Sequence, residues 1–316
     1  SASGNTPVVF DHALDDMPSK IRAVDALKAL LGFLQFTPGG LVKTVRDADK
    51  AGALANTAAL IPVGANLAQT LCLGLHPAPG KGAPDDRPSW ERPALSIADL
   101  KAEPLLATGP NDRYTRQSRA VLFVREGDGD VQWVRFAAGQ ALAEDPQAPD
   151  PMASFRPGTN GLVRLTFTEG RALWRDLPVL LPNPSGQSQP AAVLNNAISL
   201  RQQLNPFDVV DQPILVAGIA SDQAKLLRWR VEQASVPSSL LMVAEQAMLL
   251  RQLVEQAETL FRDLKSIGTW MLAETHPDPT SKDTRSRARS LLESGPFAAT
   301  FFACAERSTV EVQQHI

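Results

Sequence analysis

Apolar residues recur at helical spacing in several separate parts of the chain. The first of these predicts a helix over residues 21–36, with Ser19 as its N-cap and a turn at Gly39-Gly40 after its end. Glycine is expected at such a turn because it tolerates backbone conformations that other residues avoid. The same spacing predicts three further helices before residue 205, over 51–60, 66–75 and 191–204.

Alternation of apolar and polar residues, which is typical of half-buried strands, occurs in the middle of the chain. Residues 119–125 and 131–137 alternate on either side of Gly127 and Gly129, and predict a β-hairpin with glycines in its turn. Residues 162–168 predict a further strand by the same pattern.

A second pair of strands is predicted over residues 214–220 and 226–231. Between them stands the polar tetrapeptide Ser221-Asp222-Gln223-Ala224, and Gly218 is expected to let the backbone bend just before it. The pattern therefore predicts a stiff ribbon that presents Gln223 and Ala224 at its tip, or alternatively an ordinary surface hairpin.

From Leu240 onward the sequence predicts helices without strands. An apolar stripe from Val243 to Phe261 predicts one long helix, and two shorter helices are expected over 284–294 and 296–307. The fold class is α+β: a mixed N-terminal domain with antiparallel hairpins, and a C-terminal helical bundle. We expect the domains to span residues 1–236 and 237–316.

Composition and charge narrow the class of protein. The chain has 316 residues, is 44% hydrophobic and 21% charged, and carries a formal net charge of −3, so no global positive field indicates nucleic-acid binding. No apolar run is long enough for a membrane span and no signal peptide opens the chain, which lacks an initial Met. We expect a trimmed form or part of a longer product, located in the cytoplasm, with Cys72 and Cys304 as buried, reduced thiols.

Catalytic signatures are weak. The four histidines are scattered, with none at metal-ligand spacing from another His or Cys, and no phosphate-binding loop or nucleophile elbow is found. The paired carboxylates Asp15-Asp16 and Asp85-Asp86 are interpreted as solvated turn residues. The sequence therefore predicts a protein that is not an enzyme and uses no cofactor or metal.

Several segments, taken in order, resemble one known family. They are LGFLQFTPGG at 31–40, NLAQTLCLGL at 66–75, DDRPSWERP at 85–93 with GPNDRYTRQSR at 109–119, GRALWRDL at 170–177 and GIASDQAKLLRW at 218–229. Together they resemble CasA, the large subunit of the type I-E CRISPR effector complex Cascade. Compared with that family, the most N-terminal region is expected to be absent and the bundle to be short by about one helix.

The resemblance implies a role in recognising a motif that flanks the target in double-stranded DNA. In such complexes a guide RNA identifies the target by base pairing, while protein recognises the short flanking motif and starts strand opening. Gly39 and Gly40 match the family's glycine loop, whose bare backbone approaches base edges closely. The competing interpretation is a helix C-cap, and both roles are compatible. Lys43 is expected either to contact a phosphate or to be a solvated lysine.

Gln223 and Ala224 match the family's glutamine wedge, which substitutes for base stacking and splits the first target pair. The family's lysine finger has no clear counterpart, and Arg135 is the nearest cation in the expected region. Phe10 lies near a family position at which an aromatic residue approaches the guide RNA end and the flanking duplex. Core packing is the alternative for Phe10.

The bundle contains a basic cluster in which Arg285 and Arg289 share one helical face. They are expected either to be solvated or to bind DNA phosphates of the target duplex or displaced strand. Trp90, Trp174 and Trp229 are interpreted as core or interface anchors rather than stacking platforms.

Three functional hypotheses follow. The first is a DNA-recognition subunit whose partners are the other Cascade subunits with guide RNA, double-stranded target DNA and a helicase–nuclease, with no membrane. The second is a helical scaffold or adaptor without a nucleic-acid role. The third is an enzyme whose site has no recognisable motif.

Overall fold

A computed structural model describes residues 18–40, 45, 50–76, 85–127, 129–183, 186, 188–204, 211–222 and 225–315. Side chains at 126, 221–222, 225–227 and 312–315 are not described. The helices are α1 Ala23–Phe36, α2 Leu67–Leu73, α3 Ile97–Lys101, α4 Pro110–Thr115, α5 Leu177–Leu180, α6 Ala192–Leu204, α7 Ser238–Met242, α8 Ala244–Glu274, α9 Lys282–Ser294 and α10 Pro296–His315. Short 3-10 turns span Ser89–Glu91 and Leu173–Asp176.

The strands form small, separate sheets. They are β1 Ala59–Pro62, β2 Leu105–Leu106, β3 Arg119–Glu126, β4 Asp130–Ala138, β5 Leu142–Ala143, β6 Phe155–Gly158, β7 Gly161–Arg164, β8 Gln212–Asp222 and β9 Lys225–Val236. Strands β1, β8 and β9 form an antiparallel sheet in that order, β3 pairs with β4 and β6 with β7 in antiparallel hairpins, and β2 pairs with β5 in parallel. The α+β class predicted from sequence is confirmed.

The β3–β4 hairpin follows the sequence pattern closely. Its turn contains Gly127 at φ 54° and Gly129 at φ 95°, in the left-handed region that favours glycine. The β8–β9 ribbon also agrees with the prediction and is longer than expected, since Gln212 pairs with Val236 at its base and Asp222 with Lys225 near its tip.

Several local predictions are wrong. Residues 51–60 are not a helix, because Gly52 packs against the last turn of α1 and residues 59–62 pair with β8 as strand β1. Ser19 does not cap α1, whose N-cap is Arg22 without a side-chain cap bond. The strand expected over 162–168 ends at Arg164.

Gly218 is required for a different reason from the predicted bend. A Cβ built on Gly218 would lie 2.5 Å from the carbonyl oxygen of Thr57 and 3.1 Å from the Phe167 ring. The residue is therefore glycine because another part of the backbone crosses closely over β8.

Strand β9 exposes its apolar face, contrary to the usual alternation. Trp229 and Val231 are exposed, whereas Arg230 packs inward with its guanidinium 4.7 Å from the centre of the Phe167 ring. Arg230 also donates to the carbonyl oxygens of Thr168 at 2.9 Å and Arg171 at 2.8 Å. These hydrogen bonds satisfy the partly buried charge and fix which face of β9 is inside.

The main apolar core joins the sheet, the middle helices and the bundle. Leu60 of β1, Val216 of β8, Leu194 of α6 and Leu250 of α8 are fully buried in it, and Phe302 of α10 packs against its edge. Because this core includes residues from both sides of position 236, the proposed division into domains 1–236 and 237–316 stays a prediction.

A polar network braces the region between α4 and β7. Asp150 is buried and accepts hydrogen bonds from the Tyr114 hydroxyl at 2.5 Å and from Arg164 at 3.1 Å. Burial, together with the Asp150 charge, raises the pKa of Tyr114 well above its ordinary value. The hydroxyl therefore remains a donor at physiological pH.

Both cysteines, Cys72 and Cys304, are free but exposed, so the prediction that they are buried is wrong. Within the described ranges, no helix is both long enough and apolar enough to cross a membrane.

Candidate nucleic-acid interface

The Gly39-Gly40 segment is held in place by the end of α1 and by two residues that precede or begin β3. The Ser118 hydroxyl donates to the carbonyl oxygen of Leu34 at 2.7 Å, and Arg119 donates to that of Pro38 at 3.0 Å. Both side chains are buried, so their hydrogen bonds are shielded from water. The backbone that leads into Gly39-Gly40 is therefore firmly positioned.

Packing against the described residues does not explain why position 40 is glycine. Its φ lies outside the left-handed region, and apart from Gly40 itself and its chain neighbours no described residue has an atom within 4 Å of a Cβ built there. The helix is capped by Thr37, in an extended conformation, so the C-cap interpretation of the two glycines does not hold. Gly40 is exposed to solvent.

A cleft of about 560 Å³ opens beside these glycines, between α1 and one face of the β3–β4 hairpin. Its walls are mainly apolar, with Arg119 as the charged residue among them. The lining residues that matter here are Phe33, Gly39, Gly40, Val134 and Phe136. The glycines thus form the rim of a concave surface rather than an isolated loop.

Arg135 does not face that cleft. It lines a different cleft of about 650 Å³ together with Leu95 and Leu122. Since successive side chains of a strand point to opposite faces, Arg135 and Val134 cannot serve the same surface. Arg135 is therefore not placed to substitute for the lysine finger beside Gly39-Gly40.

The ribbon approaches the same end of α1. The rings of Phe36 and Trp229 meet edge to face, with their centroids 5.3 Å apart. Trp229 pairs with Ile219 on β8, and Phe36 is the last residue of α1. Gly39 and Gly40 are therefore next along the chain to a helix end that contacts the ribbon.

Four sequence-predicted site residues lie outside the described residues: Phe10, Lys43, Gln223 and Ala224. Their roles stay predictions. The described part of the ribbon ends at the pair formed by Asp222 and Lys225.

Arg285 and Arg289 of α9 are brought together with residues of α8. They line a cleft of about 560 Å³ whose other walls include Arg262, Lys265 and Trp270. Trp270 is exposed, and the buried Thr269 forms part of the floor. The α8 residues of this cleft were not predicted from the sequence, although Arg262, Lys265 and Thr269 recur at helical spacing.

The charges in this cleft are mostly uncompensated. Lys265 forms an ion pair with Glu293 at 3.0 Å, but within the described part of the chain no carboxylate pairs with Arg262, Arg285 or Arg289. By contrast, Arg287 pairs with Asp283 at 2.9 Å and does not line the cleft. The cleft can bind an anion through several cations and an adjacent aromatic ring.

Architecture and surfaces define an α+β protein with a stiff ribbon, a glycine-rimmed cleft and a cation-lined cleft between helices. The chain belongs to the CRISPR-associated protein Cse1 family, whose model matches residues 1–311. This confirms the resemblance to CasA noted from the sequence.

Individual relatives agree with this assignment. CasA/Cse1 of Thermus thermophilus is 36% identical over 274 residues, which cover 84% of this chain and 53% of that protein. The crystal structure of Thermus thermophilus CasA matches with a TM-score of 0.76 at 27% identity, over 96% of this chain and 66% of that one. A chain of a CRISPR RNA-guided surveillance complex shares the fold, with a TM-score of 0.65 at 22% identity, over 95% and 70% respectively. This chain thus spans about half the length of its curated relative.

Proposed function

We propose that this protein is the non-catalytic large subunit of a type I-E RNA-guided CRISPR surveillance complex. It recognises the flanking motif (PAM) in double-stranded target DNA, starts strand separation and R-loop formation, and recruits the helicase–nuclease that degrades the target in antiviral defence. Its partners are the other Cascade subunits with guide RNA and the target duplex, and it acts in the cytoplasm. Membership of the Cse1 family supports the assembly.

The observation that carries the proposal is Gly40. Neither its backbone conformation nor packing against the described residues calls for glycine at this exposed position, although the preceding backbone is tightly fixed. An external surface that must come close to the main chain accounts for it. DNA base edges are such a surface, because a backbone without side chains can approach them closely in a narrow groove.

The ribbon supplies the mechanical part of the proposed function. Its two strands are paired from Gln212↔Val236 to Asp222↔Lys225, and Trp229 anchors it to the end of α1. A wedge at Gln223-Ala224 on this support separates the first target pair and replaces the lost stacking, a step that costs a few kcal/mol.

Arg285 and Arg289, with Arg262 and Lys265, hold DNA phosphates in the proposed complex. Such contacts are independent of sequence and are weakened by salt, because each one releases condensed counterions. They complement the proposed contact of Gly39-Gly40 with the flanking motif, which depends on sequence but involves few charged groups.

The test is strand opening by the complex reconstituted with the full chain, followed by fluorescence of a base analogue at the first target pair. Gln223→Ala is expected to slow opening on the order of tenfold, since the unstacked pair loses its substitute. Gln233→Ala is the matched control, because Gln233 is an exposed glutamine of β9 far from the tip. Equal opening rates for Gln223→Ala and the parent would reject the wedge and favour a scaffold role.

A further inference from the structure

Residues 168–176, which include most of the GRALWRDL segment, lie between the ribbon and the helical bundle. On the ribbon side, Arg230 of β9 donates to the carbonyl oxygens of Thr168 and Arg171. The carboxylate of Glu232, also on β9, accepts a hydrogen bond from the backbone amide of Leu173 at 2.8 Å. The first two thirds of this short segment are therefore attached to one strand of the ribbon, through Thr168, Arg171 and Leu173.

On the bundle side, the same segment is attached through Glu258 of α8. Arg171 donates to this carboxylate at 2.7 Å, and Arg175 donates to both of its oxygens at 2.8 and 2.9 Å. The Arg175 guanidinium also lies 3.5 Å from the centre of the Phe302 ring of α10. Paired, parallel hydrogen bonds of this kind fix orientation as well as distance.

The charged groups at this junction are paired with groups of opposite charge. Burial opposes ionisation of Glu258, but hydrogen bonds and positive charge from Arg175 and Arg171 outweigh it and lower the pKa of the carboxyl. Asp176 provides a second carboxylate for Arg171, at 2.8 Å. One carboxylate on α8 is thus the shared partner of two arginines from the intervening segment.

We infer that residues 168–176 form a coupling segment that sets the position of the ribbon relative to α8, with Glu258 as its positioning residue. The consequence for DNA rests on the proposed function: the ribbon tip meets the duplex correctly only while the bundle, which holds the phosphates, is fixed to it. Glu258 would then control the rate of strand opening without contacting DNA.

The positional claim can be measured on the isolated full chain. Spin labels at Gln233→Cys on β9 and Gln252→Cys on α8 report the ribbon–bundle distance, in a background where the exposed Cys72 and Cys304 are replaced by serine. The parent is expected to give one narrow distance distribution, and Glu258→Gln a broader, shifted one. Glu255→Gln, on an exposed position of the same helix, is expected to match the parent.

The functional consequence is measured in the reconstituted complex as opening rate at saturating target, beside the affinity for the duplex. Glu258→Gln is expected to slow opening on the order of tenfold while affinity stays near that of the parent, because misplacement of about 1 Å is costly for a positioned step. A fold defect alone would reduce both. If Glu258→Gln fails to fold, Arg175→Lys tests the same contact, because it keeps the charge and loses the paired hydrogen bonds.

The outcomes separate this inference from the proposed function. Unchanged label distances in Glu258→Gln and Arg175→Lys would overturn the inference that residues 168–176 position the ribbon, regardless of the rate of strand opening. Altered distances with a normal opening rate overturn the positioning role if Gln223→Ala slows opening in the same assay. If Gln223→Ala is also without effect, the wedge is what has failed, and the distances alone decide the coupling.

Discussion

The Gly39-Gly40 segment offers bare backbone beside a mainly apolar cleft, whereas the cleft between α8 and α9 offers three arginines, a lysine and an exposed indole. In the proposed function, close approach of backbone distinguishes one base pair from another, but it contributes little long-range attraction. The arginines attract any phosphate backbone and cannot distinguish sequences. In the proposed function, specificity and salt-dependent affinity therefore reside in different parts of the chain, and each is expected to be changed separately.

Gly40 and Gly218 differ in the space that surrounds them. A Cβ at Gly218 would collide with the Thr57 carbonyl oxygen at 2.5 Å, whereas one at Gly40 meets nothing within 4 Å among the described residues. Gly218 is thus explained by the fold, whereas contacts among the described residues give no reason for glycine at position 40.

The largest expected effect is on stability. Gly218→Ala places a methyl group against backbone that cannot move without disturbing the β1–β8 pairing, and should lower the free energy of unfolding by about 3 kcal/mol. Denaturant unfolding of the isolated chain measures it, with Gly40→Ala as the control that leaves stability unchanged. Equal stabilities for the two variants would remove the distinction between these glycines.

The next effect is on specificity. Gly40→Val should reduce the preference for the correct flanking motif by about 100-fold, the cost of one or two lost base-pair contacts. Binding of the assembled complex to a library of flanking trinucleotides measures this preference. Gly32→Ala on α1 is the matched control, since it also has open space around it. If Gly40→Val weakens all motifs equally, position 40 contributes affinity and not specificity.

A smaller effect is expected from the cation-lined cleft. Replacing both Arg285 and Arg289 by glutamine should make the slope of log affinity against log salt shallower by about 1.8, for two lost phosphate contacts. The motif preference should not change. Arg287→Gln, outside the cleft and paired with Asp283, is the matched control. An unchanged slope in the double variant would mean that Arg285 and Arg289 are solvated surface residues that do not contact DNA phosphates.

Local signals in the sequence predicted some elements well. The β3–β4 hairpin was predictable because alternation and two glycines with positive φ agree on one turn. The long helix α8 was predictable because its apolar stripe repeats over many turns.

Elements whose conformation depends on contacts with residues far away in the sequence were not predictable. The alanine-rich residues 51–60 have helical propensity, but the carbonyl oxygens of Leu34 and Gln35 lie so close to Gly52 that the backbone turns there instead. Which face of β9 points inward could not be predicted, because the partners of Arg230 are carbonyl groups about sixty positions earlier. For the candidate site, the i,i+4 spacing of Arg285 and Arg289 was visible, whereas Arg262, Lys265 and Trp270 join them only through the packing of α8 against α9.

The smallest expected effect is on the pH dependence of stability, and it concerns Glu258, which joins the ribbon to the helical bundle through residues 168–176. The pKa of this carboxyl is lowered from its ordinary value of 4.5, so its ion pairs stabilise the fold fully above pH 4.5 and lose their contribution as the pH falls through the lower folded-state pKa. Glu258→Gln should therefore cost about 1 kcal/mol at pH 7, and the difference from the parent should shrink as the solution is acidified below pH 4.5. Unfolding of parent, Glu258→Gln and Glu255→Gln across this range measures it. A difference that stays constant down to pH 2 would mean that the glutamine disturbs packing and not charge, and the two regions would then be joined by apolar contacts such as Trp174 with Phe302.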